Sequence, residues 1–336
     1  MKGICIVPHM EGPGGMASFR LKFEQGLEKR GISFTHDLAQ PAQALLVIAG
    51  TRNLPGVWAS RRRGVRVVQR LDGINWVQRV RRTGLRYHLR AEYGNALLAF
   101  IRRRLADRVI YQSRFIRGWW EDWYGRPQVP AQVIVNAVDL MQYSPEGPEE
   151  RPSDRYRMML LEGSLAGGLN NGLFHALRLA EEMNAQFPME LVVVGRVDAA
   201  TQKQVKAESR IPVEFRGVVS REQVPGLARA SHLLYCAEIN PPCPNSVIEA
   251  MACGLPVAGF DSGALTELVQ GDAGRIVPYG ADPWKLERPD IPVLARAAAE
   301  ILEDQPRFRH AARERAEAEF GVDRMVEAYL KVLLED

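Results

Sequence analysis

The chain has 336 residues, 46% of them hydrophobic and 25% charged, and a formal net charge of +4. At about 100–200 residues per domain that length favours two domains with a sizeable core each, and the composition excludes a disordered, collagen-like or coiled-coil chain. The small net charge is the sum of unlike halves: +10 over residues 1–150, −6 over 151–336, and +12 within 52–104, where 14 Arg stand against Asp72 and Glu92.

In chain order, Gly3–Val7 is a short apolar run ending at Pro8 and reads as a buried strand. The Gly-rich turn Glu11–Gly15 follows, then a helix with Phe19, Phe23 and Leu27 on one face, stopped near Gly31. Further strands are predicted at Ala44–Ala49, Val65–Gln69, Arg108–Gln112 and Gln132–Val135, with a long helix over 86–105. The stretch Ser144–Pro152 is rich in Pro, Gly and charge and reads as a linker. Beyond it, strands are predicted at Met158–Leu161, Leu191–Gly195, Val213–Gly217, His232–Tyr235, Val257–Phe260 and Arg275–Val277. Helices over 171–184, 200–208, 220–230, 245–253 and 263–269 lie between them. The tail from Ile291 is helical, with breaks at Gln305-Pro306 and near Gly321. Alternating strands and helices in two successive blocks predict two doubly wound parallel sheets.

Several function classes drop out early. No run of about 20 mostly apolar residues occurs, so no transmembrane helix is expected. The N-terminal MKGICIVPHMEG lacks the apolar stretch of a secretory signal. Cys5, Cys236, Cys243 and Cys253 form no CxxC pair, so a reduced, cytoplasmic setting is expected and core or turn roles suit these thiols. The six histidines show no metal-ligand spacing.

In an open parallel sheet, ligands bind at the carboxyl ends of strands, where helix N-termini present unpaired N–H groups. Two Gly-rich turns occupy such places, Gly12–Gly15 and Gly163–Gly172. Neither fits GxGxxG with a following acid, nor a P-loop; each is either a tight turn or a surface that admits a phosphate or sugar. The strongest local signal is Asn240–Val257. Asn245 or Ser246 can cap a helix there, and from spacing Glu249 reads first as a capping-box partner. Its carboxylate would equally accept two hydrogen bonds from a vicinal diol.

The run Pro241–Pro256, followed by Asp261-Ser262-Gly263-Ala264-Leu265-Thr266-Glu267-Leu268-Val269, resembles the donor-site signature of retaining glycosyltransferases of family 4. Ala106–Ser113, Ile134–Asp139 and Tyr143-Ser144-Pro145 are further landmarks, so the resemblance covers nearly the whole chain. It implies the α/β GT-B fold of two facing Rossmann-like domains. An N-terminal acceptor domain is expected over 1–147, a nucleotide-sugar domain over 153–310, and a C-terminal helix over 311–336 packing back on the first domain. It also implies a hexosyltransferase-type enzyme that moves a sugar from a UDP- or GDP-linked donor to an acceptor hydroxyl with retention. No cofactor is implied, and the absence of a DxD motif fits a metal-independent reaction. By resemblance Glu249 would bind the donor ribose, with Asn245, Ser246 and Val247 at the diphosphate. Ser164, Arg196 and Gly217 would complete the donor site, Gly14 and Gly15 would close over it, and Asp72 would stand where relatives place a sugar-contacting His.

Two departures stand out. Pro241 occupies the place of the first Glu of the family's E-x7-E pair, with Glu238 and Asn240 beside it as deputies. The usual Arg and Lys after the first strand of the second domain are absent, leaving Arg196 or Arg70 as substitutes. The basic stretch, with Arg61, Arg62, Arg63, Arg79, Arg81 and Arg82, is a solvated face, a nucleic-acid surface, or a surface for an anionic or lipid-linked acceptor or an anionic leaflet. A glycosyltransferase favours the last, and with it a peripheral position on the inner face of the membrane. The acceptor class stays open among glycan, small molecule and lipid-linked forms. The rival functions are a nucleotide-sugar epimerase of the same fold and a non-catalytic glycosyltransferase-like binding subunit.

Overall fold

A computed structural model describes residues 3–12, 14–165 and 171–335. The chain divides into two compact units, residues 1–137 with 322–336, and residues 138–321.

The first unit opens with β1 (Ile4–Val7), α1 (Gly15–Glu28), β2 (Phe34–Thr35), β3 (Ala44–Ile48) and α2 (Leu54–Arg62). It continues through β4 (Arg66–Leu71), α3 (Val77–Val80), α4 (Leu85–Arg104), β5 (Arg108–Tyr111), α5 (Arg114–Tyr124) and β6 (Ala131–Val133). The six strands are all parallel, in the order β2-β1-β3-β4-β5-β6. Strands β1 and β3 are buried along their whole length, as continuous Val/Ile/Leu runs covered on both faces must be. One face is covered by α2 and α4 through Val57, Ile101 and Leu105. Phe19, Phe23 and Leu27 of α1 cover the other.

The second unit runs β7 (Tyr156–Ser164), α6 (Asn171–Met183), β8 (Met189–Arg196), α7 (Ala199–Glu208), β9 (Val213–Gly217), α8 (Val224–Arg229) and β10 (Leu233–Tyr235). After these come α9 (Asn245–Ala252), β11 (Val257–Phe260), α10 (Leu265–Leu268), β12 (Gly274–Val277), α11 (Ile291–Glu303) and α12 (Gln305–Glu319). Its six strands are again parallel, ordered β12-β11-β10-β7-β8-β9. Helices α6 and α11 bury their apolar stripes against it.

The final helix, α13 (Val322–Leu334), belongs to the first unit. Tyr329 meets Phe19 and Phe23 at ring-centroid distances of 5.0 and 5.3 Å. Val326 approaches so closely that a Cβ on Gly26 would lie 2.4 Å from its Cγ2, which only glycine in α1 permits.

The division therefore falls at 137/138 and 321/322, not at the Pro-rich stretch and not at residue 311. Residues 144–152 are tied into the second unit, where Arg229 Nε meets Glu149 Oε2 at 2.7 Å and Nη1 donates to Ser144 O at 3.2 Å. Helix α12 stays there as well, with Arg313 donating to Tyr143 O at 2.8 Å. Most predicted elements are present with ends moved by a few residues. Helix α8 starts at Val224 rather than 220, because Pro225 is tolerated only in a first turn. The sequence showed no β2, since two residues carry no period. All four cysteines are buried and none forms a disulfide, and burial pushes the Cys5 thiol up to about 11. Among the described residues no helix is long and apolar enough to cross a membrane.

Candidate functional site

Helix α9 begins where its sequence forces it to begin. Pro241, Pro242 and Pro244 cannot continue a helix backwards, so the first helical residue is Asn245, with Pro244 as an extended N-cap at φ −68° and ψ 119°. This corrects the capping-box expectation. Asn245 and Ser246 are helical residues, no side chain caps the turn, and Glu249 lies beyond the first turn. Ile248 N–H is the first to bond back, to Pro244 O at 3.4 Å. The N–H groups of Asn245, Ser246 and Val247 thus have no acceptor within the helix, and the positive end of its dipole stands at the carboxyl edge of the sheet. Asn245 and Ser246 are half-buried and Val247 is fully buried. Glu249, at i+3 from Ser246, is half-buried on the same side of the helix.

The loop before α9 is fixed from behind. Ala264 N–H donates to Pro241 O at 2.8 Å, and Asn240 N–H reaches Ser262 Oγ at 3.4 Å. Gly263 sits at φ +64°, and a Cβ there would fall 2.3 Å from Pro241 N. Asn240 itself holds φ +53°, is 3% exposed, and its Nδ2 has no partner among the described residues. Sequence reasoning placed Asn240 only as a deputy for the missing Glu; its buried, unpaired donor is a structural finding. Glu238, the other deputy, remains exposed at the end of β10. Burial raises the carboxyl of Glu162, on β7, and the charge of Glu238 raises it further.

The remaining predicted donor residues share this edge. Ser164 ends β7 and pairs in register with Arg196, which ends β8 and is exposed. Gly217 closes β9 at φ +66°. In the predicted turn 163–172, residues 166–170 lie outside the described residues.

In the first unit, the carboxyl edge carries Gly14 and Gly15, both exposed at the start of α1. Gly14 serves as N-cap, and nothing lies within 4 Å of where its Cβ would be. Asp72 follows β4. Its backbone O accepts from Trp120 Nε1 at 2.8 Å, and its carboxylate lies 3.6 Å from Arg70 Nη1. Burial raises the Asp72 carboxyl, with Arg70 opposing the shift. Arg70 is 1% exposed, stacks on Phe19 at 4.1 Å and donates to Asn136 Oδ1 at 2.8 Å; Asn136 in turn donates to Gln112 Oε1 at 3.1 Å. This removes Arg70 as a surface cation for a diphosphate and leaves Arg196. Trp120, Gln112 and Asn136 were legible only as family landmarks or apolar helix residues, because a tertiary network has no sequence period.

The basic stretch divides in two. Arg61 is bound to Asp107 at 3.0 Å and to Arg104 O, beside the amino end of β5 and away from Asp72. Arg63 holds Leu38 O, and Arg62 stacks on Trp58 at 4.7 Å. Arg79, Arg81 and Arg82 follow β4, with Arg79 bidentate on Glu92. That pairing holds the Glu92 carboxyl down at about 2.

Against known proteins, residues 161–304 match the model of the family described as Glycosyl transferases group 1. The second unit carries a glycosyl transferases group 1 domain. Over 95 residues the chain is 33% identical to 2-deoxystreptamine N-acetyl-D-glucosaminyltransferase of Streptomyces fradiae; the match covers 28% of this chain and 21% of that protein. Among solved structures, the chain resembles sucrose-phosphate synthase of Thermosynechococcus elongatus at TM-score 0.75 and 15% identity, covering 99% of this chain and 98% of that one. Anabaena HepE in complex with UDP-glucose gives TM-score 0.66 and 18% identity, covering 99% of each chain. These likenesses establish the GT-B fold around the glycosyl transferases group 1 domain. Among the described residues no group of three or more His, Cys, Asp or Glu is placed to hold a metal ion.

Proposed function

We propose that this protein is a family 4-type glycosyltransferase, moving a hexose from a nucleotide diphosphate sugar to an acceptor hydroxyl with retention and without a metal. The observation that carries the reading is α9: its amino-terminal turn stands at the sheet's carboxyl edge with a carboxylate on the next turn, inside a glycosyl transferases group 1 domain. The relative from Streptomyces fradiae is named for N-acetylglucosaminyl transfer, and the Anabaena neighbour holds UDP-glucose.

The departing nucleotide diphosphate gains negative charge, and fixed N–H dipoles aimed at it lower the barrier without reorganising. In this reading the first turn of α9 receives the diphosphate, Arg196 supplies the cation, and Glu249 accepts from the two ribose hydroxyls. The unpaired Nδ2 of Asn240 donates to a sugar hydroxyl, taking the place of the Glu that Pro241 displaces. On the first unit, taken by itself, Gly14, Gly15 and Asp72 stand on one carboxyl edge, and this unit receives the acceptor.

Calorimetric titration with UDP, GDP and ADP and their sugars tests this. One nucleotide is expected to bind below millimolar concentration, and binding is expected to persist in chelator. If none binds, the enzyme reading fails. The anomeric configuration of the product, read by NMR, decides retention.

A further inference from the structure

Helix α4 is apolar on both its inner and its outer face. The face it turns to the sheet carries Ala91, Asn95, Ile101 and Arg102, two of them polar and each satisfied internally. Asn95 exchanges hydrogen bonds with the Asn75 backbone at 2.9 and 2.8 Å, and Arg102 donates to Tyr111 Oη at 2.9 Å. The face it turns to water carries Leu85, Leu89, Tyr93 and Phe100, which are 74, 60, 56 and 46% exposed. Their spacing puts them within about 80° of arc, as a stripe roughly 22 Å long. A contiguous exposed apolar stripe on a soluble domain marks an interaction surface, whereas scattered exposed apolar residues do not.

Arginines border the stripe: Arg82, Arg86, Arg90, Arg103 and Arg104 are exposed. The acid on the helix itself, Glu92, is already bound by Arg79. On α2, which packs on the same side of the sheet, Trp58 is 51% exposed beneath Arg62.

We propose that the outer face of α4 docks on an anionic lipid leaflet. Aliphatic Leu85 and Leu89 enter the acyl boundary, the aromatic rings sit at headgroup depth, and the arginines reach the lipid phosphates. A second copy is disfavoured, because it would bring two arginine borders together. Nucleic acid gains nothing from leucine, which offers no stacking face. The link to a lipid-borne acceptor rests on the glycosyltransferase reading; the docking itself does not.

The test is sedimentation of the full chain with phosphatidylcholine vesicles, with and without phosphatidylglycerol. Wild type is expected to pellet with the anionic vesicles and less so in high salt. Leu85→Ser with Leu89→Ser is expected to lower the partition coefficient at least tenfold, and Arg86→Ser with Arg90→Ser by roughly fivefold per arginine. These side chains are exposed, so circular dichroism and UDP affinity are expected to match wild type. Binding of wild type to neither vesicle, or equally to both, overturns the proposal. So does full vesicle binding by the double leucine variant, or a concentration-dependent dimer that the same variant abolishes. UDP titration of these proteins separates the two readings: vesicle binding with no nucleotide binding removes the donor site and leaves the docking face.

Discussion

The guanidinium of Arg70 and the carboxylate of Asp72 form a pair at the end of β4, Nη1 lying 3.6 Å from Oδ2, with the arginine side chain 1% and the aspartate 23% accessible. Replacing Asp72 with Asn leaves a buried cation without its counter-charge. The expected cost is about 2–4 kcal/mol, tempered by the water that reaches the aspartate. Replacing both residues with Met and Leu is expected to recover most of it. Urea unfolding midpoints check both variants; an Asp72→Asn protein as stable as wild type contradicts the pairing.

Glu249→Ala is expected to weaken nucleotide binding at least tenfold, by removing charge-assisted bonds that contribute about 1.5–3 kcal/mol each. Glu249→Gln keeps the shape and loses the charge, so it is expected to fall between. Calorimetry on the three proteins decides, and equal affinities would reject Glu249 as the ribose ligand.

Gly263→Ala is expected to destabilise the second unit by about 1–3 kcal/mol, since a Cβ meets Pro241 and the φ of +64° strains any other residue. Because Pro241 starts the segment leading into α9, nucleotide affinity is expected to fall with the melting temperature. A drop in stability with unchanged affinity would uncouple the loop from the site.

His232 predicts an acid-labile second unit. Burial, aided by Arg151, Arg309 and Arg157, lowers its imidazole to about 4, and its Nδ1 accepts from Arg157 N–H at 2.9 Å. The unfolded chain titrates near 6.5 and so binds more protons between about pH 6.5 and 4. Stability is therefore full above that window and falls as pH drops through it, by on the order of 3 kcal/mol. Melting curves from pH 7 to 4 test this, with His232→Gln expected to flatten the decline.

Much of this was legible in the sequence, and the limits have physical causes. The buried strands read directly from Val/Ile/Leu runs, because a parallel strand covered on both faces has no polar side to confuse it. The start of α9 was legible because a helical run follows three closely spaced prolines, whereas Glu249 was a candidate only through the family resemblance, its spacing alone suggesting a cap. The Asp72 surroundings were not found, because Trp120 comes from within α5 and Gln112 and Asn136 from beyond the ends of two separate strands. The stripe on α4 was hidden for another reason. Its apolar residues recur at helical spacing, as core residues do, and only solvent exposure distinguishes the outward face from the inward one.

The membership of α13 in the first unit sets an order of synthesis. Residues 1–137 leave the ribosome with the α1 side of their sheet only partly covered, and the helix that completes the cover starts only at Val322. At about 5–20 residues per second, the gap lasts roughly 10–40 s. During that interval the second unit, continuous from 138 to 321, has all the chain it needs to fold. The unit made first is thus the one completed last, and part of its apolar face stays open to water in the nascent chain until α13 emerges.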